Sequence, residues 1–201
     1  MNKKSDILPR IVIQSIGGGL LLMALFTMMW SGIAEGGLQG SDNYLVIIIF
    51  SAFSLAFIVY GTYLFLIAKR FPKISTDTEK LEGKRIGKWY GIIFGIEGTS
   101  IPIVVFILSA FHHDDFIIPG IALIVGLHFY PMAKVFRRQI DYYLATWTCI
   151  IALVGIIMTI RNSAQSIIFP LVGIGVALAT TSYGTYMLYS AYKFNHSSKR
   201  V

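Results

Sequence analysis

Hydrophobic residues in this chain form six long runs, and most of the charged residues stand in the short joints between them. Each run approaches the roughly 20 residues that an α-helix needs to cross the hydrocarbon core of a bilayer. The pattern therefore predicts an all-α fold: a polytopic membrane bundle of six transmembrane helices, forming a single domain over residues 1–201. The predicted spans are 11–33, 44–68, 89–111, 116–136, 142–160 and 167–192.

The composition of the chain is that of a membrane protein. It is 55% hydrophobic and 13% charged, with a mean hydropathy of +0.69, whereas a soluble domain has roughly 25% charged residues. The first run follows Lys3, Lys4 and Arg10, and the apolar part of a signal peptide also follows basic residues. It exceeds the roughly 7–15 apolar residues of a signal sequence, so we expect it to be retained as a helix.

Positive charge is distributed very unevenly between the two sets of joints. With the N-terminus inside, the cytoplasmic joints and termini hold sixteen lysine and arginine residues, and the opposite joints hold only Arg161. The positive-inside rule then predicts that both termini are cytoplasmic. Because membrane orientation accounts for the net charge of +7, the expected partner is the lipid bilayer, and no nucleic-acid partner is expected.

The longest joint, 69–88, has a possible regulatory or partner-binding role, although a solvated connector is the simpler interpretation. It contains Thr76-Asp77-Thr78-Glu79, a pattern typical of a capping box at the start of a helix. We therefore predict that the third helix begins as a short polar extension in this joint.

Two cytoplasmic helix ends share a sequence. Tyr60-Gly61-Thr62-Tyr63 closes the second predicted helix, Tyr183-Gly184-Thr185-Tyr186 closes the sixth, and Phe129–Phe136 is a looser version in the fourth. One interpretation is three helical hairpins descended from one unit. The other is that helices exiting to the cytoplasm converge on aromatic residues followed by basic ones.

Two ionisable residues stand out inside the predicted spans, Glu97 and His128. Glu97 lies eight residues after Trp89, and His128 lies eight residues before Phe136, which places each about 12 Å from the cytoplasmic boundary. Since consecutive helices run antiparallel, the two side chains can meet at one depth. A lone carboxylate in hydrocarbon costs roughly 3 kcal/mol or more, so a partner is expected. The functional hypothesis is a proton-sensitive or cation-binding pair; the alternative is a neutral pair that fixes helix register.

Other polar groups lie at a similar predicted depth. Pro131 cannot donate a hydrogen bond to the carbonyl of Leu127, so it leaves an acceptor free beside His128. Gln14 and Tyr183 are further candidate contributors, by depth alone. Together these residues are the predicted intramembrane binding site.

Motifs for catalysis or cofactor binding are absent from the sequence. It contains no GxSxG, HExxH, Walker-type, GxGxxG or CxxC motif, so we predict no catalytic residues, no metal site and no cofactor. The single cysteine, Cys149, lies inside an apolar run and has no second thiol to pair with. The stretch His112-His113-Asp114-Asp115 is more typical of a solvated turn than of a metal site, because adjacent side chains rarely converge on one ion.

The segment Gly126-Leu127-His128-Phe129-Tyr130-Pro131 resembles a Gly-x-His-hydrophobic-x-Pro pattern found in a family of small bacterial membrane proteins of unknown function. The three-hairpin plan is also similar to that of small bacterial acid-resistance membrane proteins. These resemblances imply a protein of the bacterial cytoplasmic membrane, and they assign no functional residues.

The sequence therefore favours a non-enzymatic integral membrane protein with a proton-sensitive or small-ligand cavity near the cytoplasmic leaflet. Two alternatives stay open. One is a small transporter or channel that uses Glu97 and His128; the other is a membrane accessory or scaffold protein. A homo-oligomer or a membrane protein partner is compatible with all three.

Overall fold

The computed structural model describes residues 10–71 and 77–198, without the side chains of residues 77–79, 82 and 194–198. The described residues form six long helices and no strand: α1 Arg10–Leu38, α2 Leu45–Ile67, α3 Asp77–Ala110, α4 Ile117–Phe136, α5 Gln139–Ile160 and α6 Gln165–Ser198. All six are long and apolar enough to cross a membrane. The predicted all-α, six-helix fold is confirmed, and it is the architecture of a multi-pass membrane protein.

The helices extend further than the apolar runs that predicted them. The start of α3 at Asp77 confirms a polar extension in the long joint, although the capping side chains lie outside the described residues. α1 continues to Leu38 and ends where Gln39 adopts a left-handed conformation (φ 51°). A helix ends where its backbone hydrogen bonds end, so its bounds need not coincide with the edge of a hydrophobic run.

The tightest pairing in the bundle is between the first and last helices. Contacts along α1 and α6 keep one antiparallel register, in which Gly19 lies against Met187, Thr27 against Thr180 and Ala34 against Gly173. The Thr27 and Thr180 hydroxyl groups share a buried hydrogen bond of 2.8 Å. The two termini of the described chain are thus held at the same end of the bundle.

Within each predicted hairpin, α1–α2, α3–α4 and α5–α6, the two helices pack antiparallel. Ser54 on α2 donates a hydrogen bond to the carbonyl of Ala24 on α1, and Trp147 on α5 donates one to the carbonyl of Gly175 on α6. The extensive α1–α6 and α4–α5 contacts, however, cross the boundaries between hairpins. The hairpins are therefore not separate packing units, and their common descent stays a hypothesis.

The antiparallel arrangement separates the charges of the described residues. One end of the bundle, here called the basic end, has the start of α1 with Arg10 and the ends of α2 and α4 with Lys69 and Lys134. The opposite end carries the acidic residues Glu35, Asp42, Asp114 and Asp115. Among the described residues, the basic side chain at that end is Arg161. The sequence-based charge asymmetry thus becomes a polarity of the folded bundle.

The hydrophobic core consists of two clusters, one in each half of the bundle. The cluster nearer the basic end includes Leu20, Phe57 and Tyr183, and the other includes Trp30 and Val172. Among the described residues, neither cluster includes a side chain of α3. The third helix therefore stands at the edge of the bundle.

Candidate functional site

The third helix is attached to the bundle through the fourth. Tyr90 near the basic end forms an edge-on ring contact with Phe136 (centroids 6.1 Å apart). Near the other end, the side chains of Val104 and Leu108 on α3 pack against Gly120 on α4. In the described part of the chain, the extensive helix contacts of α3 are with α4. Most of its surface is consequently left to lipid or to a partner.

A groove of about 660 Å³ lies between α3 and α4 in the half of the bundle nearer the basic end. Its volume is within the range of small-molecule sites, roughly 300–1,000 Å³. Its walls are mainly isoleucine, leucine and tryptophan side chains. The polar and charged residues that line it are Arg85, Glu97, Ser100, His128, Lys134 and Arg137.

The structure brings Glu97 and His128 together in this groove. Glu97 Oε1 lies 3.3 Å from His128 Nδ1, and both side chains are 8% exposed. That distance suits an ion pair, but Nδ1 has no hydrogen bond of acceptable geometry to a described residue. Glu97 and His128 are therefore in direct contact within the lining of the groove.

Aromatic rings fix the position of the imidazole. The ring of Phe94, one helical turn before Glu97 on α3, meets the His128 ring edge-on at 5.6 Å between centroids. Phe129 lies 4.2 Å from it on the other side. Because these rings exclude water, they strengthen electrostatic interactions at the pair relative to those in bulk solvent.

Pro131 lies in the groove lining together with Leu127, as its sequence position beside His128 led us to expect. It is inside α4, where its missing N–H leaves the Leu127 carbonyl without its usual helical donor. The groove lining thus combines a carboxylate on α3 with an imidazole on α4, next to a proline that interrupts the hydrogen bonding of α4.

The other two predicted contributors lie elsewhere in the bundle. Gln14 is on α1, which packs on α2 and α6, and it does not line the groove. Tyr183 on α6 is buried and accepts a hydrogen bond from Arg138 Nη1 at 3.1 Å. Depth placed these residues in the right layer, but their helices do not border the groove, so the structure does not join them to Glu97 and His128.

A second buried polar group was missed by the sequence analysis. Asp141, in the first turn of α5, is fully buried together with both of its carboxylate oxygens. Arg138 and Tyr183 are the polar groups that act on it electrostatically. A lone acidic residue at the start of an apolar run, where a helix N-terminus favours negative charge, was the available signal.

Two further sequence features have structural roles. Cys149 lies against Gly126 at the contact between α5 and α4. In the turn before α4, Asp114 accepts a hydrogen bond from Ser109 and Asp115 accepts one from Gln165. Those two carboxylates thus tie helix ends together, in keeping with a turn.

The chemistry available in the groove is that of proton exchange and polar contact. A carboxylate accepts hydrogen bonds, its protonated form can also donate one, and a neutral imidazole can do both, so the two groups can share a proton. Among the described residues, no group of three or more His, Cys, Asp or Glu side chains is arranged to hold a metal ion.

No protein-family model, no curated protein and no solved structure matches this chain.

Proposed function

We propose that this chain is a non-enzymatic integral membrane protein that binds a small ligand in the groove between α3 and α4, with Glu97 and His128 as its polar contacts. The observation that carries the proposal is that Glu97 and His128, two ionisable residues of adjacent apolar helices, meet in the lining of the groove, 3.3 Å apart. Ionisable groups within a membrane are costly to keep. Both residues line the groove and lie outside the two core clusters.

We further propose that the basic end faces the cytoplasm of a bacterial cell and that the groove opens in the cytoplasmic leaflet. The support is the charge of the joints, since lysine and arginine are retained on the cytoplasmic side. Lys134 and Arg137 line the groove at the same end as Lys69 and Arg70. A ligand of the groove is accordingly one that reaches it from the cytoplasm or the inner leaflet.

Filling the groove should remove the ligand. We expect native mass spectrometry of the full-length protein, extracted in mild detergent, to show one adduct of constant mass that disappears in Leu127→Trp. The indole would occupy the groove, since Leu127 lines it and is 52% exposed. We expect Glu97→Gln and His128→Gln each to retain the adduct roughly tenfold more weakly, because each removes a charge-assisted contact.

Leu153→Trp is the matched control. Leu153 is an exposed leucine on α5, outside the groove lining, so the same substitution there should keep the adduct. A wild-type protein without an adduct, or one retained equally by both tryptophan variants, would contradict the proposal.

A second candidate function, that of an oligomeric or accessory protein, is favoured by the glycines of α3. Gly83, Gly87, Gly91 and Gly95 recur every fourth residue, and a Cβ added at any of them would meet nothing in the described chain within 4 Å. Small residues at this spacing let two membrane helices approach closely, commonly with a right-handed crossing. A second copy of α3 is the simplest occupant, because the same face supplies both sides of the contact.

Cross-linking tests this contact. In a Cys149→Ser background, Gly91→Cys should form an intermolecular disulfide in native membranes when oxidant is added. Ile96→Cys, five residues later, is the control: Ile96 is exposed but lines the groove, on another side of α3. Equal disulfide yields from the two variants, or no disulfide from Gly91→Cys, would reject the oligomer as a function. Neither result would bear on ligand binding in the groove.

A further inference from the structure

The groove between α3 and α4 is long and narrow. Its α3 wall runs from Arg85 to Ser100, which corresponds to about 22 Å at the helical rise. Its α4 wall runs from Ile124 to Arg137, about 20 Å, so one helix borders the groove on each side. This shape fits one extended hydrocarbon chain better than a compact polar solute.

The middle of the groove is apolar and open at the side. Ile96 on one wall is 61% exposed, and Leu127 on the other is 52% exposed. Both lie within membrane-spanning segments, so their exposed surfaces face hydrocarbon. A ligand can therefore enter from the bilayer and keep part of its chain in contact with lipid.

Positive charge is concentrated at the mouth of the groove. Lys134 is in the last turn of α4 and Arg137 is its C-terminal cap, six and nine residues beyond His128, so they lie about 9 Å or more nearer the membrane surface. Arg85 belongs to the same end of the lining. Glu97 is the acidic residue in the lining, and it lies deeper, against His128.

This arrangement disfavours a cationic amphiphile. Its headgroup would meet Lys134 and Arg137 at the mouth, or it would have to lose its hydration and pass the apolar middle to reach Glu97, which is 8% exposed. Transferring an ion into such surroundings is costly. A small free anion is disfavoured for a different reason: it would bind at the basic mouth and leave the apolar part of the groove without a contact.

We propose that the groove binds an anionic amphiphile: a phosphate or carboxylate headgroup on Lys134 and Arg137, with a single chain along Ile92, Ile96 and Leu127. This inference rests on the proposed ligand-binding groove and specifies the ligand class: the charged headgroup stays at the mouth, and Glu97 and His128 remain the contacts for a polar group farther along the ligand. Basic side chains near a membrane surface attract anionic headgroups in general. What distinguishes these two is that they stand at the mouth of an apolar groove, whereas Lys69 and Arg70 at the same end of the bundle do not line it.

Fluorescence of Trp89 provides the measurement. Trp89 lines the groove, Trp30 is fully buried, and Trp147, the remaining tryptophan of the three, can be removed as Trp147→Phe. The full-length protein in neutral detergent is titrated with a bromine-labelled alkyl phosphate, whose bromine quenches an indole on contact. The comparison probes are the matching alkyl trimethylammonium and the matching alcohol, and inorganic phosphate serves as a competitor.

We expect saturable quenching by the alkyl phosphate, with an affinity at least about tenfold lower in Lys134→Gln/Arg137→Gln, because two charge-assisted contacts are lost. Lys69→Gln/Arg70→Gln, which removes the same charge from the same end, should leave the affinity unchanged. Inorganic phosphate should not compete, which separates an amphiphile from a free anion.

Three results would overturn the assignment of an anionic ligand: tighter binding of the ammonium probe, equal effects of the two double variants, or displacement by inorganic phosphate. Saturable binding of the alcohol with the same affinity as the phosphate would reject the anionic class and keep the proposed function. If no probe binds saturably, both the ligand class and the ligand-binding groove are rejected.

Discussion

Gly173→Ala is expected to be among the most destabilising single-methyl substitutions in the chain. A Cβ at this position would lie 2.6 Å from the backbone nitrogen of Ala34 and 2.7 Å from the carbonyl oxygen of Trp30. Both are main-chain atoms of α1, so no side-chain rotation can relieve the overlap. The α1–α6 contact, which joins the two ends of the chain, would have to open along its length.

The expected cost is about 3 kcal/mol of unfolding free energy, the upper part of the usual range for an overpacked core. It should appear as a lower denaturation midpoint, measured at fixed micelle composition with increasing mole fraction of sodium dodecyl sulfate. Ala34→Gly should not rescue it, because the overlap involves the backbone of Ala34 and not its methyl group.

Gly91→Ala is the matched control, since an added Cβ there meets nothing in the described chain within 4 Å. Alanine also favours the helix over glycine by up to about 1 kcal/mol, so the midpoint should stay or rise. Gly19→Ala should be intermediate, because its nearest neighbour is the flexible end of Met187. If Gly173→Ala and Gly91→Ala behave alike, the close α1–α6 register is wrong.

The number of helices was predictable because a bilayer imposes a length on every apolar segment. The meeting of Glu97 with His128 was predictable for a related reason: neighbouring antiparallel helices bring residues equally far from one boundary to one level. The observed separation of 3.3 Å shows that equal depth in the membrane was enough to predict a contact between residues on helices adjacent in sequence. Their role in binding is not decided by that contact and stays a prediction.

Depth was not sufficient for residues on distant helices. Gln14 shares a predicted level with Glu97, but α1 packs on α2 and α6, away from the groove. Which helices touch depends on side-chain shape around the whole bundle, and a hydropathy pattern does not contain that information. The same gap explains Asp141, which reads as a joint residue in sequence but is fully buried in the structure.

The glycines show a related limit. Glycine at fourfold spacing indicates a surface that a helix can approach closely, without indicating which helix approaches. Gly173, whose neighbouring glycine is Gly175, lies against α1, whereas Gly91 and Gly95, which do have the four-residue spacing, face open space in the described chain. The sequence identifies the capacity for contact, and the fold decides whether it is used within the chain.

Trp30→Ala is expected to be the most destabilising large-to-small substitution. Trp30 heads the largest fully buried side chains and lies in the core cluster with Phe50, Ile168 and Val172. In a soluble protein such a change costs about 3–5 kcal/mol, as a transfer term plus a cavity term. In a membrane the transfer term is small, because the unfolded helices remain in hydrocarbon; the lost packing remains, and we expect about 2–3 kcal/mol.

Trp89→Ala separates packing from ligand binding. Trp89 is half-exposed on α3 and lines the groove, so its removal leaves no closed cavity and should change the denaturation midpoint little. It should instead weaken retention of the groove ligand, whereas Trp30→Ala, measured below its midpoint, should leave that retention intact. The opposite result would be a stable Trp30→Ala protein and an unfolded Trp89→Ala protein. It would mean that α3 belongs to the core, because the loss of a side chain from an exposed helix face would not unfold the protein.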